Sequence, residues 1–171
     1  MSNEELILKS LLKKEPQHIR ELSRTTKLHP NTVINFVDKL QRLDILDIVK
    51  SDKKYISFKR NLKSKNRKIM YIIEDIIDSG LISHLDDIFA IPTIILFGSA
   101  SKGEMHENSD IDLCIISEIK KEINLKSFEE ILNREIQIFI FTKDEFNKLS
   151  NELKNNIING IIITGYLEVL E

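Results

Sequence analysis

Along the first 60 residues, apolar positions recur at helical spacing three times and then switch to strand-like runs. Leu6, Ile7, Leu11 and Leu12 fall on one stripe, predicting a helix from Asn3 to Lys14. Pro16 ends it, and a second helix follows with Ile19 and Leu22 inward and Arg20, Glu21 and Arg24 outward. The polar stretch from Thr25 to His29 reads as a turn. Pro30 stands where a third helix can start, because its missing N–H is no loss in a first turn. That helix is predicted to bury Val33, Ile34, Val37 and Leu40 and to end near Leu43. Ile45–Val49 and Tyr55–Phe58, joined by the polar Ser51–Lys54, then carry the signal of a β-hairpin.

Past residue 60 the pattern is helical again. Ile69, Ile72, Ile73, Ile76 and Ile77 make a wide apolar stripe on a helix running from Asn61 to Asp78, which Ser79-Gly80 closes. Such a face suits either packing against a domain or pairing with a second copy. A short helix is expected over Leu81–Phe89, followed by a buried strand over Ile91–Phe97 and another from Asp110 to Ile116. Lys126–Asn133 reads as a crossover helix and Glu135–Phe141 as a strand. Thr142–Ser150 reads as a helix opened by a capping box, and Ile157–Ile163 as a last apolar strand or cover. The expected organisation is therefore α+β. Residues 1–60 form one domain, 61–90 are linker helices, and 91–171 form a second domain with a mixed sheet.

Composition sharpens this picture in three places. The net charge of −2 conceals a split, since residues 1–68 hold 17 Lys and Arg against 8 Asp and Glu, while the remainder holds 8 against 19. Two modules with different partners are implied, the first suited to a polyanion and the second to cations. The chain has 30 Ile and only two Ala, with many Lys and Asn. That bias weakens each lysine as a sign of nucleic-acid contact. Cys114 is the single cysteine and the four histidines are scattered, which excludes a disulfide framework and a cysteine-rich zinc site. No basic leader precedes an apolar run, and no apolar run approaches the ~20 residues of a membrane span. A cytoplasmic protein without membrane contact is expected.

The first 60 residues resemble the winged helix-turn-helix family through IRELSRTTKLHPNTVINFVDKLQRLDIL, which is similar to its helix, turn, recognition helix and first wing strand. The resemblance implies DNA as partner, with the third helix in the major groove. Asn31, Thr32, Asn35, Lys39 and Arg42 would face DNA from that helix, and Lys53 and Lys54 from the wing tip. Use of the same fold for dimerisation or protein contact is the alternative.

The chemistry lies in the second half. Asp110 and Asp112 stand two apart in a strand, so both carboxylates leave from one face and repel each other unless a cation lies between them. Paired carboxylates are hard oxygen ligands suited to Mg²⁺. Gly98 allows close approach of backbone to a phosphate, and Ser99 adds a hydroxyl and an N–H. The full string GSASKGEMHENSDIDL resembles the signature of the DNA polymerase β-like nucleotidyltransferase superfamily, in particular its minimal branch. Gly98, Ser99, Gly103, Ser109, Asp110 and Asp112 stand at the matching places.

That resemblance implies Gly-Ser holding the β- and γ-phosphates of a nucleoside triphosphate, with ATP expected. It also implies paired aspartates on Mg²⁺ and transfer of a nucleoside monophosphate with loss of pyrophosphate. Family members commonly bring a third carboxylate from a neighbouring strand. Here that place holds Gln137, which cannot act as a base, and Glu135 lies on the same strand face about 7 Å away. Two functions stay open. One is an active transferase with Asp110, Asp112 and Glu135 as the catalytic set. The other is a DNA-binding regulator or antitoxin whose transferase-like domain is degenerate. A homodimer and a partner toxin or other protein acceptor belong to either version.

Overall fold

In the computed structural model, residues 1–50 and 54–168 are described. They divide into two units, residues 1–71 with 105–107 and residues 72–104 with 108–171. Together they carry nine helices and two sheets among the described residues, an α+β fold. None of the described helices is long and apolar enough to cross a membrane.

In the first unit, α1 (Asn3–Lys13) opens on a capping box in which Ser2 Oγ accepts the Glu5 N–H and the Glu5 carboxylate accepts the Ser2 N–H. Its buried face is Ile7, Leu8, Leu11 and Leu12, so Leu8 takes the place expected of Leu6. At the other end the Gln17 amide donates to the Ser10 and Lys14 carbonyls, both at 2.7 Å. The Lys14 carbonyl is one that the helix C-terminus leaves without a partner, the Ser10 carbonyl also accepts the Lys14 N–H, and with its amide bonded to both the glutamine can be fully buried.

Gln17–His18 forms a two-residue strand, β1, that periodicity does not reveal. The helices α2 (Ile19–Thr26) and α3 (Pro30–Arg42) follow, with His29 Nδ1 accepting the Asn31 N–H at the start of α3. β2 (Leu46–Lys50) and β3 (Lys54–Phe58) pair antiparallel, Leu46 opposite Phe58, and β1 adds to β3 with His18 opposite Tyr55. Leu22, Val33, Val37, Leu40, Ile45 and Ile56 pack with the α1 residues into one core. Ile34, expected inside, is 40% exposed. The α3 face toward the core is narrower than the sequence suggests, because Val33, Val37 and Leu40 already fill it. α4 (Leu62–Asp78) follows, and Ile77, also expected inside, is 52% exposed.

The second unit begins within α4 and adds α5 (Leu81–Phe89). β4 (Thr93–Phe97) runs into a single helical turn, α6 (Gly98–Ser101). β5 (Ile111–Ile116), α7 (Lys126–Leu132) and β6 (Ile136–Phe141) come next, then α8 (Lys143–Asn147), α9 (Asn151–Ile158) and β7 (Ile161–Thr164). The sheet order is β6-β5-β4-β7. β4 is antiparallel to both its neighbours, whereas β5 and β6 run parallel, joined by the α7 crossover. Ile94 through Phe97 are all buried, as a strand covered on both faces requires.

Two expectations shift here. The single helix expected over 142–150 is α8 with its capping box on Thr142, and a separate α9 follows, capped by Ser150. Ile157 belongs to α9 and is buried, so the last strand starts only at Ile161.

Candidate active site

The antiparallel register of β4 and β5 sets Phe97 opposite Asp112. The chain leaves β4 at that point, and Gly98, with φ +68°, turns it into α6. A Cβ on Gly98 would lie 2.1 Å from the Asp112 carboxylate oxygen Oδ2. Only a residue without a side chain lets this turn close over that carboxylate. Ser99 follows at the first turn of α6, and its hydroxyl has no hydrogen-bond partner among the described residues. Its carbonyl accepts the N–H groups of Lys102 and Glu104, which fold the chain back before the buried Gly103.

Asp110 stands at the entry to β5, two residues before Asp112, so the two carboxylates share a face. Burial, followed by the neighbouring negative charge of Asp110, holds the Asp112 carboxyl above the usual carboxylate range. Crowded like charges in a half-buried position are a donor set that fits a hard divalent cation. Among the described residues, no three His, Cys, Asp or Glu side chains gather closely enough to hold an ion alone. Such a cation would take its remaining ligands from substrate and water oxygens.

The parallel register of β5 and β6 pairs Asp112 with Gln137. The Gln137 amide donates to Asp110 Oδ2 at 2.6 Å, so this side chain reaches the carboxylate pair directly. Glu135, expected inside the strand, precedes β6, and its carbonyl accepts the Ile111 N–H at 2.9 Å. Its side chain is exposed with no hydrogen-bond partner among the described residues. Arg134, which the sequence did not mark, donates from Nη1 to the Ser109 carbonyl at 3.0 Å and ties the loop ahead of Asp110 to the start of β6. A lone arginine at a strand entry gives no periodic signal by which to find it. Lys102 reaches Asn156 at 3.3 Å.

The geometry joins a glycine-serine turn, two aspartates on a facing strand and a polar side chain from the next strand. The family model for the nucleotidyltransferase domain matches residues 78–163, half of the chain. The chain belongs to the nucleotidyltransferase domain family. Gly98, Ser99, Gly103, Ser109, Asp110, Asp112, Glu135 and Gln137 all lie within the matched span. A solved structure from Sulfolobus solfataricus, described as a "putative nucleotidyltransferase", is similar at 16% identity. It covers 59% of this chain and 83% of that one, with a TM-score of 0.30. No curated protein gives a significant match.

Outside the nucleotidyltransferase domain, Asn31, Asn35, Lys39 and Arg42 are exposed on α3 and Thr32 is half-buried. Lys39 is engaged by Glu4 of α1 at 2.7 Å. Lys54 is exposed at the start of β3, and Lys53 lies outside the described residues. Cys114 is fully buried in β5, and burial pushes its thiol pKa up to about 12. A thiol so placed packs as a small apolar side chain.

Proposed function

We propose that this chain is a Mg²⁺-dependent nucleotidyltransferase that moves a nucleoside monophosphate, AMP from ATP, to an acceptor. The closure of Gly98 over Asp112, with Asp110 on the same strand face, carries this reading. The N–H and hydroxyl of Ser99 would take the β- and γ-phosphate oxygens. Asp110 and Asp112 would hold Mg²⁺, which supplies charge neutralisation at the α-phosphate and on the leaving pyrophosphate. Glu135 would be the third carboxylate, accepting the proton of the attacking group. The acceptor, a partner toxin or another protein, carries no signature in the chain.

One observation favours the alternative. Gln137 occupies the register position beside Asp112 and donates its amide to Asp110, so an amide that cannot act as a base stands at this place. Pyrophosphate release from ATP and Mg²⁺ divides the readings. An active parent that loses release in Glu135→Gln while still binding nucleotide supports the transferase. An inactive parent that gains release in Gln137→Asp overturns it.

The helix, turn, helix and hairpin of residues 19–58 support the winged helix-turn-helix reading, with DNA as partner and a homodimer as the acting form. Asn31, Thr32, Asn35 and Arg42 on α3, with Lys53 and Lys54 from the hairpin, would contact DNA. Lys39 would first have to leave Glu4. Retention of duplex DNA in a gel, falling steeply with salt, is the test. Absence of any retention at about 50 mM salt, where such contacts are strongest, refutes it.

A further inference from the structure

The first unit contains an open cleft of about 870 Å³ lined by His18, Ile19, Arg20, Glu21, Arg24 and Lys54. It lies between the start of α2 and the start of β3, which β1 brings together by pairing His18 with Tyr55. Its volume falls within the range of small-molecule sites, roughly 300–1,000 Å³.

The charges in this cleft are unevenly committed. Glu21, the one acid among its described lining residues, is held by Lys14 at 2.9 Å. Arg24 also acts on the Glu21 carboxylate, whereas Arg20 and Lys54 have no carboxylate partner among the described residues. Arg20 and Arg24 are one helical turn apart, so both guanidinium groups project to the same side of α2. The cap residue of α2, His18, makes no side-chain capping bond, and its backbone N–H is taken by the Glu21 carboxylate.

His18 also lines the cleft. Its ring packs on Tyr55 with centroids 4.0 Å apart, and its Nε2 is buried without any hydrogen-bond partner among the described residues.

We propose that the cleft between α2 and β3 binds a small, multiply charged anion of the phosphate class, such as a phosphorylated metabolite. Arg20 and Arg24 take its oxygens in forked pairs, Lys54 closes over it from β3, and the imidazole of His18 meets a further oxygen. A concave site suits a compact ligand better than the phosphate backbone of a duplex, which rests on protruding groups. This ligand is held by cations in the first unit, independently of the aspartate pair in the second.

Calorimetric titration of the full chain with inorganic pyrophosphate tests this. EDTA is present throughout, so the aspartate pair cannot bind pyrophosphate through a metal. Sub-millimolar binding is expected. It should weaken at least tenfold in Arg20→Ala with Arg24→Ala, weaken severalfold in Lys54→Ala, and persist in Asp110→Asn with Asp112→Asn. The Arg20 and Arg24 side chains are exposed, so their removal leaves the core intact, and a circular dichroism spectrum checks this. Retained binding in Arg20→Lys with Arg24→Lys, reduced by loss of the forked geometry, also supports the assignment. No heat up to about 5 mM pyrophosphate, a limit of roughly 3 kcal/mol, overturns it. So does binding indifferent to the arginine pair. Loss of duplex DNA retention in the arginine variant, with no pyrophosphate binding by the parent, overturns it as well and gives the cleft to nucleic acid.

Discussion

Gly98→Ala and Gly80→Ala together separate a backbone cost from a site cost within one unit. Both glycines have positive φ, +68° and +80°. An alanine in that region is strained by roughly 1–2 kcal/mol. At Gly80 nothing lies within 4 Å of a new Cβ, so the backbone cost is the whole expected loss. At Gly98 the same Cβ meets Asp112 Oδ2 at 2.1 Å and Cγ at 3.1 Å, far inside van der Waals contact. The carboxylate has to swing away, which adds about 0.5–1.5 kcal/mol for an off-rotamer side chain. Urea unfolding should therefore give Gly98→Ala a loss of about 1.5–3.5 kcal/mol and Gly80→Ala about 1–2 kcal/mol. The larger difference should appear in function. Calorimetry with ATP and Mg²⁺ should show at least a tenfold loss in Gly98→Ala, about 1.4 kcal/mol, and none in Gly80→Ala. Adding Asp112→Ala to Gly98→Ala removes the clash, so the double variant should be more stable than the sum of the singles predicts. Equal stability of the two alanine variants, with unchanged ATP affinity in both, would refute the idea that Gly98 fixes the aspartate.

Further outcomes follow from the same geometry. Because the folded-state pKa of Asp112 is raised, its ionisation opposes folding, and the penalty is absent below the unfolded value of about 3.9 and grows as pH rises. Asp112→Asn should thus raise the melting temperature at pH 7 but leave it unchanged near pH 3, and added Mg²⁺ should stabilise only the parent. Cys114, with its thiol pKa near 12 and fully buried, should resist alkylation at pH 8 until denaturant is added; rapid native labelling would show that β5 opens locally. For DNA, Lys54→Ala should weaken binding to all sequences alike and flatten the salt dependence, whereas Asn35→Ala should relax sequence preference in a competition gel. Lys39→Ala should weaken binding less than Arg42→Ala, because Lys39 is already paired with Glu4.

Local pattern determined much of this protein. Apolar spacing marks α1, α2, α3, α5 and the strands β2 through β6 within a residue or two, because each buries one face and the period of that face is written in consecutive residues. The Gly98-Ser99 turn and the Asp110, Asp112 pair were legible for a similar reason. A glycine at a tight turn and two carboxylates on one strand face are short-range facts.

Tertiary structure decided the rest. Whether Leu6 or Leu8, or Ile34 or Val37, is inside depends on which partner arrives, so a stripe with one apolar residue too many is settled only by packing. β1 is two residues long and exists only because β3 offers it an edge, so no periodicity could announce it. Gln137 and Asp110 are 27 residues apart, and their hydrogen bond depends on the register that the α7 crossover gives β5 and β6. The sequence put Glu135 and Gln137 on one face of a strand. The structure begins that strand at Ile136, leaving Glu135 outside it and Gln137 against the aspartates, because strand ends are fixed by the pairing of neighbouring chains.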